Sequence, residues 1–438
     1  MILHWQRICA RTLSGMGRIV YQGLRVLINS FKGFGRTFWK VKTGFRPVRA
    51  AGLAGAIATL LALAGCGGLD LGGVFDNSGS GGFGGNDAGV NQPAKIALLV
   101  PLSAPGQTAN IGAAMKKAAE LALFEAGKTN VTLITKDTGG TPEGAAVAAQ
   151  AAINEGAEII LGPLLGSEVA AVTPIAKGRN IPVIAFSSVS KVAQPGIYLM
   201  SFLPEQEVSN ILRHTSQSGI KSLVAMIPSS QYGAVVERAL KTSAARLGTK
   251  IVAIEHFNRN GQNLAAASAR IARAVHSATN PAQAVFIPEG GQNLRAIGTA
   301  LTQAGFSPRS AKVLGTGLWD SPLTTGTPIA FGGWYAGVSP QRVQQFNQRY
   351  SASYQTKPPR IASLAYDALS LTMAFAKAPI GTRFTAGQIT NVEGFNGVNG
   401  LFRFRPDGRV ERGLSILEVT ARGTTIAAPA PSKFQFGF

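Results

Sequence analysis

Small polar side chains follow the ends of several apolar segments, where hydroxyl and carboxyl groups could hold a charged ligand. Ser103, Asp137 and the pair Ser187-Ser188 are examples. Where a strand ends and a helix begins, hydroxyls and free backbone N–H groups together bind carboxylates and other anions. A single Ser or Thr at such a position is more often only a helix N-cap. The recurrence of the pattern favours an anion-binding cleft.

Metal and cofactor chemistry has little support in the sequence. The histidines beyond residue 66, His214, His256 and His276, fall on different predicted elements and form no H-x-x-x-H pair, so we expect no metal site. The G-x-S-x-G and P-loop patterns are missing as well. We therefore predict a binding protein without a cofactor, and not an enzyme.

One hydrolytic alternative stays open. Ser187 or Ser188 could act as a nucleophile, and Asp137 with Glu289 could form an acid–base pair. Carboxylates at such positions more often form hydrogen bonds in a cleft or face solvent. Loss of turnover on replacement of either serine would be needed to support an enzyme.

Residues 1–65 have the features of an export signal. Arg46 and Arg49 precede the apolar run Ala50–Ala64, whose fifteen residues are too few for a membrane-spanning helix of about 20. The run ends at Leu63-Ala64-Gly65-Cys66, which matches the bacterial lipobox. We therefore expect cleavage before Cys66, a lipid on that cysteine and a location in the periplasm.

The segments on either side of this signal need separate interpretations. Residues 1–40 are too long for the basic part of a signal, so a true start at a non-AUG codon, such as that of Val41, is a hypothesis. Residues 66–94 are rich in Gly, Ser and Asn and are expected to form a flexible linker. Gly67, and not Asp, follows the cysteine, which favours anchoring in the outer membrane over the inner membrane.

The basic character of the chain does not indicate nucleic-acid binding. The formal charge is +21, but ten of the 42 Lys and Arg residues lie in residues 1–50, which contain no acid. The other basic residues are spread singly over predicted helices, without the clusters of Arg and aromatic residues that nucleic-acid surfaces show. Solvated charge, or contact with anionic lipid or wall polymer, explains them better.

From Lys95 onward the sequence alternates strands with helices. Helix N-caps are predicted at Asn110, Thr141 and Ser167. Such alternation predicts an α/β fold with parallel sheets covered by helices on both faces. Because about 330 residues are too many for one compact domain of this kind, we expect two lobes. The predicted strands are Lys95–Ser103, Val131–Asp137, Glu158–Leu164, Pro182–Ser187, Lys221–Ser229, Ile251–Phe257, Ala284–Glu289 and Val313–Thr316.

Several short motifs occur in a characteristic order between about Lys95 and Val419. They are Leu99–Ser103, Asp137 with Pro142-Glu143, Ile159–Pro163, Pro174–Ala176, Ile181–Ile184, Tyr232-Gly233, Leu364–Leu369 and Phe395–Phe404. Through their order and spacing together, the chain resembles the type 1 periplasmic binding proteins, in particular the leucine/isoleucine/valine-binding group.

This resemblance implies a two-lobed type 1 periplasmic-binding fold, in which each lobe is a mostly parallel sheet flanked by helices and three crossovers join the lobes. The binding domain is placed at 95–422, with the first lobe at 95–203 and 331–378, the second at 204–330 and 379–422, and a tail at 423–438. Closure of the lobes over a ligand is the hinge motion expected of such proteins.

The resemblance also implies where a ligand binds. The loop at Gly166 and the pair at Ser187 correspond to positions that bind a carboxylate, while an aromatic residue and an acid in the second lobe hold an amino group. Here Pro288 replaces the expected aromatic residue, which puts specificity for amino acids in doubt because an unpaired buried ammonium is costly. The predicted ligand-binding residues are Ser103, Gly166, Ser167, Ser187, Ser188, Tyr232, Glu289 and Asp320.

Two functions follow from these expectations. The first is a solute-binding receptor that takes up or senses an amino acid or related carboxylate and works with an ABC permease. The connection Gly127–Asn130 and the stretch Ile160–Leu165 also resemble a second branch of the same fold, the outer-membrane lipoproteins that activate penicillin-binding proteins. That resemblance implies regulation of peptidoglycan synthesis through contact with a penicillin-binding protein.

Overall fold

The computed structural model describes residues 92–434, so Cys66 and the predicted export signal lie outside the described residues. The strands are β1 (Ala94–Val100), β2 (Val131–Asp137), β3 (Ile159–Leu161), β4 (Val183–Ala185), β5 (Ile197–Leu199), β6 (Ser222–Pro228), β7 (Lys250–Phe257), β8 (Ala284–Phe286), β9 (Lys312–Gly315), β10 (Trp334–Gly337), β11 (Phe395–Gly397), β12 (Gly400–Phe404), β13 (Val410–Arg412), β14 (Ser415–Thr420) and β15 (Gly423–Ala428). Every strand predicted from the sequence is present.

The helices lie between these strands. They are α1 (Gln107–Glu125), α2 (Pro142–Asn154), α3 (Gly166–Lys177), α4 (Pro204–Gln217), α5 (Gln231–Leu247), α6 (Leu264–Val275), α7 (Gly291–Gln303), α8 (Pro322–Thr325), α9 (Pro340–Tyr354), α10 (Ala362–Phe375) and α11 (Ala386–Ile389). Within residues 92–434, no helix has the length and apolar character needed to cross a membrane.

The first lobe is built on a five-stranded parallel sheet. Its strand order is β2-β1-β3-β4-β5, and every neighbouring pair runs parallel. Helices α2 and α3 pack against each other, as do α1 and α10. Strands β1, β3 and β4 are almost wholly buried because helices cover a parallel sheet on both faces.

The second lobe is built on a seven-stranded mixed sheet. Its order is β15-β14-β10-β9-β8-β6-β7. Strands β7, β6, β8, β9 and β10 run parallel to one another. At the other edge, β14 pairs antiparallel with β10, and β15 pairs antiparallel with β14. Two separate apolar clusters fill this lobe, one against α4 and α5 and one against α6 and α7. The predicted α/β class and pair of lobes are thus confirmed.

The chain passes between the lobes three times, but two predicted boundaries are wrong. Strand β10 was expected in the first lobe, whereas it pairs with β9 and β14 in the second sheet. The small sheet β11-β12-β13 was expected in the second lobe, whereas Phe402, Phe404 and Val410 belong to the core of the first. The crossings therefore lie between β5 and α4, between β10 and α9, and between β13 and β14.

The predicted tail is also partly wrong. Residues 423–428 form β15, which pairs with β14 from Thr420↔Gly423 to Ile416↔Ala428. Farther on, the Phe434 ring is buried beneath the Arg403 guanidinium, 4.4 Å from its centroid. The described chain therefore remains packed against the domain beyond the predicted end at residue 422.

Local signals predicted some helix ends and missed others. The Thr141 hydroxyl accepts the N–H of Gly144, as an N-cap should. The caps predicted at Asn110 and Ser167 are wrong because α1 begins three residues earlier, at Gln107, and α3 begins at Gly166. At α3 the N-cap residue Leu165 has no hydroxyl, and the carboxylate of Glu168 accepts the Leu165 N–H at 2.9 Å, which is the reciprocal half of a capping box.

Candidate functional site

The two lobes contact each other where the strands of both sheets end. Ser190, which follows β4, donates its hydroxyl proton to Glu205 Oε1 of α4 at 2.5 Å. Arg360, just before α10, donates from Nη1 to the carbonyl oxygen of Gly317, just after β9, at 3.0 Å. Ligands in open α/β sheets bind beyond the carboxyl ends of the strands. We call this region the interlobe cleft.

The first wall of the interlobe cleft begins with Ser103 and Asp137, after β1 and β2. Asp137 Oδ1 accepts the backbone N–H groups of Leu102, Ser103 and Gly139 at 2.8–3.2 Å. Burial tends to raise the pKa of Asp137, but hydrogen bonds from Ser103, Gly139 and Leu102 outweigh it and hold the pKa below its ordinary value. Asp137 thus fixes the turn that presents the exposed side chain of Ser103.

The predicted serine loops after β3 and β4 do come together. A Cβ on Gly166 would lie 2.9 Å from Val189 Cγ2 and 3.4 Å from Ser187 Oγ, so glycine allows the two loops to touch. Ser187 is buried and its hydroxyl accepts the N–H of Val189 at 3.2 Å. Ser167 and Ser188 are exposed, so a ligand can reach their hydroxyls as well as that of Ser103.

Beneath these loops lies a buried acid that the sequence analysis missed. Glu168 is fully buried, and its carboxylate accepts the hydroxyl of Thr138 at 2.5 Å as well as the N–H of Leu165. The pair joins the ends of β2 and β3. The alanine-rich pattern of α3 concealed this position, because a lone Glu in the first turn of a helix usually faces solvent.

On the second wall, Tyr232 occupies the predicted position after β6. Its hydroxyl lies 3.0 Å from the hydroxyl of Thr316, which follows β9. Burial raises the pKa of Tyr232 far above its ordinary value, so the phenol stays protonated. Tyr232 and Thr316 together give this wall two neutral hydroxyls that can donate or accept hydrogen bonds.

Both acids proposed as partners of an ammonium group are already paired with arginine. Glu289 is buried, and its Oε1 lies 2.6 Å from Arg259 Nη2 and 2.8 Å from Arg259 Nε. Its second oxygen accepts the side-chain N–H of Asn293 at 3.1 Å. Asp320 is exposed, and its Oδ2 lies 3.5 Å from Arg360 Nε.

Arg360 also contacts both lobes, and the sequence analysis missed it. Besides Asp320 and the Gly317 carbonyl, its guanidinium lies 3.7 Å from Glu207 Oε1 and 3.8 Å from the centroid of the Phe202 ring. Burial raises the pKa of Glu207, although the Arg360 charge and the Gly317 N–H both favour its ionised form. Arg360 lies in an irregular loop, and the sequence around it does not indicate which acids its guanidinium contacts.

Apolar side chains are also exposed at the interlobe cleft. Val189 of the first wall, and Leu318 and Leu323 of the second, are 47%, 43% and 41% exposed. The cleft therefore offers hydroxyl and N–H groups beside apolar contacts. Over residues 92–434, no group of three or more His, Cys, Asp and Glu side chains is arranged to hold a metal ion.

A family model described as "Periplasmic binding protein" matches residues 93–424, so the chain belongs to the periplasmic binding protein family. The predicted resemblance to the type 1 members is thereby confirmed. The family consists of solute-binding receptors and not enzymes, so the interpretation as a non-enzyme is confirmed and the hydrolytic alternative is rejected. The assignment also gives a periplasmic location. No curated protein compared with the chain matches it.

Solved structures share the fold at low sequence identity. A putative branched-chain amino acid ABC transporter protein from Rhodospirillum rubrum is 18% identical, with a TM-score of 0.68 over 76% of this chain and 99% of its own. A solute-binding protein from R. palustris in complex with benzoate is 19% identical, with a TM-score of 0.56 over 78% and 98%. A substrate-binding protein from Streptococcus pneumoniae in complex with isoleucine is 20% identical, with a TM-score of 0.54 over 77% and 100%.

Proposed function

We propose that this chain is a lipid-anchored solute-binding receptor that binds a small carboxylate, such as an amino acid or an aliphatic or aromatic acid, between its lobes. It would deliver the ligand to an ABC permease or report its presence. The side chains of Ser103, Ser167 and Ser188 are exposed beside the strand ends of one lobe, and the Tyr232 hydroxyl, which contacts the buried Thr316, lies at the strand ends of the other. Such groups bind a carboxylate without a metal ion.

Both cleft acids lie beside an arginine, and this observation decides which class of ligand we propose. Glu289 is held by Arg259, and Asp320 lies 3.5 Å from Arg360, so an ammonium group would have to compete with an arginine for either acid. An α-amino acid would have to displace an arginine or leave its own charge unpaired, and both are costly. We therefore infer that acids without an ammonium group bind more tightly than amino acids of the same shape.

Thermal unfolding of the purified chain with three matched ligands tests this function. Leucine, 4-methylpentanoate and 4-methylpentanamide share one branched skeleton and differ in the ammonium and carboxylate groups. A ligand that binds only the folded state raises the melting temperature. We expect 4-methylpentanoate or benzoate to raise it, leucine to raise it less, and the amide to leave it unchanged. A larger effect of leucine would contradict the ligand class, and no effect of any small acid would contradict the receptor function.

The lipid anchor is a separate part of the proposal. The expected modification site, Cys66, follows small residues and an apolar run, whereas Cys9 has no such context. In cells that incorporate labelled palmitate, Cys66→Ser should abolish labelling and Cys9→Ser should not. Fractionation of the labelled protein tests the outer-membrane location; labelling that survives Cys66→Ser would exclude this anchor.

Activation of a penicillin-binding protein is the second candidate. It is favoured by the short connection of five residues between α1 and β2, which the sequence analysis associated with that branch. Under this proposal no small acid shifts the melting temperature, and the anchored chain copurifies a penicillin-binding protein from solubilised membranes. A thermal shift without copurification would exclude it in favour of the receptor.

A further inference from the structure

The first lobe has a large groove on the side away from the interlobe cleft. The groove lies at the end of α1 and the beginning of β2, between these elements and α10, and its volume is about 990 Å³. Because β2 begins here and ends at the cleft, the length of the strand separates the two regions. A cavity of about 300–1,000 Å³ is the size that small-molecule sites have in proteins.

The floor of this groove is apolar. Ala122 of α1 is buried, and Val131 and Met373 are partly buried beside it. The Tyr366 ring adds an aromatic surface, 5.4 Å from the Arg349 guanidinium. Such a floor gains free energy by excluding water from a hydrocarbon or aromatic group.

The acid in the groove already has partners. Glu125 Oε2 accepts the phenol proton of Tyr366 at 2.6 Å and lies 3.5 Å from Arg349 Nη1. Burial, together with the hydrogen bond to Glu125, raises the pKa of Tyr366 to about 12, so the phenol remains a donor. Arg349 therefore compensates the negative charge of Glu125.

Two further cations line the same groove. Lys128 follows the end of α1 and Lys377 follows the end of α10, and both side chains are exposed. Neither makes an ion pair or side-chain hydrogen bond with any residue in 92–434. The groove thus combines an apolar floor with two positive charges that no described acid neutralises.

We propose that this groove is a second ligand site, which binds a small amphiphilic anion with a hydrocarbon or aromatic body and one carboxylate. The body lies on the floor near Met373 and Tyr366, and the carboxylate pairs with Lys128 and Lys377. The site is independent of the interlobe cleft and does not depend on what the cleft binds.

Titration calorimetry of the full chain with octanoate tests the second site. Ser188→Trp first fills the cleft, so that binding in this background reports on the groove. We expect one octanoate per chain, no heat with 1-octanol at the same concentration, and weaker binding of octyltrimethylammonium. Ser370→Trp, which fills the groove, should abolish the octanoate signal while thermal unfolding shows that the variant is folded.

The charge contribution is tested with Lys128→Gln and Lys377→Gln together. Loss of two charge-assisted contacts should weaken octanoate binding about tenfold. Lys250→Gln, an exposed lysine at the beginning of β7, is the matched control and should change nothing. Octanoate binding that survives Ser370→Trp, or equally tight binding of octyltrimethylammonium, would overturn the proposal.

Discussion

Gly317 lies where charged side chains of both lobes meet. A Cβ on this residue would come 2.2 Å from Glu207 Oε1 and 2.8 Å from Arg360 Nη1. Both groups are held in place, so Gly317→Ala must displace them. We expect the free energy of unfolding to fall by about 1 to 3 kcal/mol, which is the usual cost of overpacking a site. Urea denaturation measures this change. Gly387→Ala, with no atom within 4 Å of the added carbon, is the control and should cost nothing.

Asp137 predicts a pH dependence at the edge of the cleft. Its pKa is lowered from 3.8 because the hydrogen bonds from Ser103, Gly139 and Leu102 outweigh the opposing effect of burial. A carboxyl with a lowered pKa contributes stability that is complete above its unfolded value and is lost as pH falls through its folded value. Asp137→Asn should therefore be less stable than the parent at about pH 6, and the difference should shrink as pH falls below the ordinary pKa of 3.8. A difference independent of pH would contradict this account.

At the scale of elements, α5 shows how one side chain fixes a helix start. The Ser230 hydroxyl accepts the N–H of Gly233 at 3.1 Å. Ser230→Ala should lower the free energy of unfolding by about 1 kcal/mol, the usual contribution of an N-cap. Ser339 occupies the same position before α9 but makes no such bond, so Ser339→Ala should have little effect. Equal losses in both variants would show that the hydroxyl bond is not the cause.

The strands and their alternation with helices were predictable because buried parallel strands are continuous apolar runs. The sheet to which β10 belongs was not, since its partners β9 and β14 are brought together only by the folded lobe. The bond that Glu168 accepts at the start of α3 was missed because its acceptor is a carboxylate on the third helical residue and not a hydroxyl at the N-cap. Local patterns specify elements, whereas pairing over long distances specifies their neighbours.

The residues of the cleft divide in the same way, into those that could be placed from the sequence and those that only the folded structure brings together. Ser103 was predicted because a small polar residue follows an apolar strand, whereas Gly166 and Tyr232 were placed by the resemblance to the type 1 periplasmic binding proteins. Arg259 and Arg360 could not, because each arginine lies in a polar loop and meets its acid only across the fold, at separations of 30 and 40 residues for Glu289 and Asp320. Because the sequence analysis did not identify these two arginines, it treated Glu289 and Asp320 as possible partners of an ammonium group.

At the scale of the whole molecule, charged side chains make several of the contacts between the lobes. Arg360 is fixed to the first lobe through Ser363, whose hydroxyl donates to the Arg360 carbonyl at 2.8 Å, and it reaches Glu207 and Gly317 of the second. Near it, the buried Arg412 donates from Nε to the Ser201 carbonyl at 2.7 Å, at the first crossing. The contacts of Arg360 therefore help to set the relative position of the lobes, and a ligand in the cleft could reinforce or replace them.

Arg360→Met should both loosen the lobes and leave the buried Glu207 without a cation within 4 Å. Removing one partner of a buried pair costs about 3 to 5 kcal/mol at neutral pH. The pKa of Glu207 is already raised by burial. Such a carboxyl makes the folded state less stable as pH rises from the ordinary pKa of 4.5 toward the pKa in the folded state. The variant should thus unfold at lower urea concentration at about pH 7, and recover toward the parent below about pH 4.

The second substitution Glu207→Gln separates charge from packing in this background. Gln can still accept the Gly317 N–H, which Glu207 accepts at 3.0 Å, so the double variant should regain most of the stability at neutral pH. It cannot restore the link from Arg360 to Gly317, so its radius of gyration in solution scattering should stay above that of the parent. Because a ligand that needs closed lobes binds less tightly when that state is rarer, carboxylate affinity should fall in both variants. Recovery of compactness along with stability would show that the charge alone, and not the bridge, holds the lobes together.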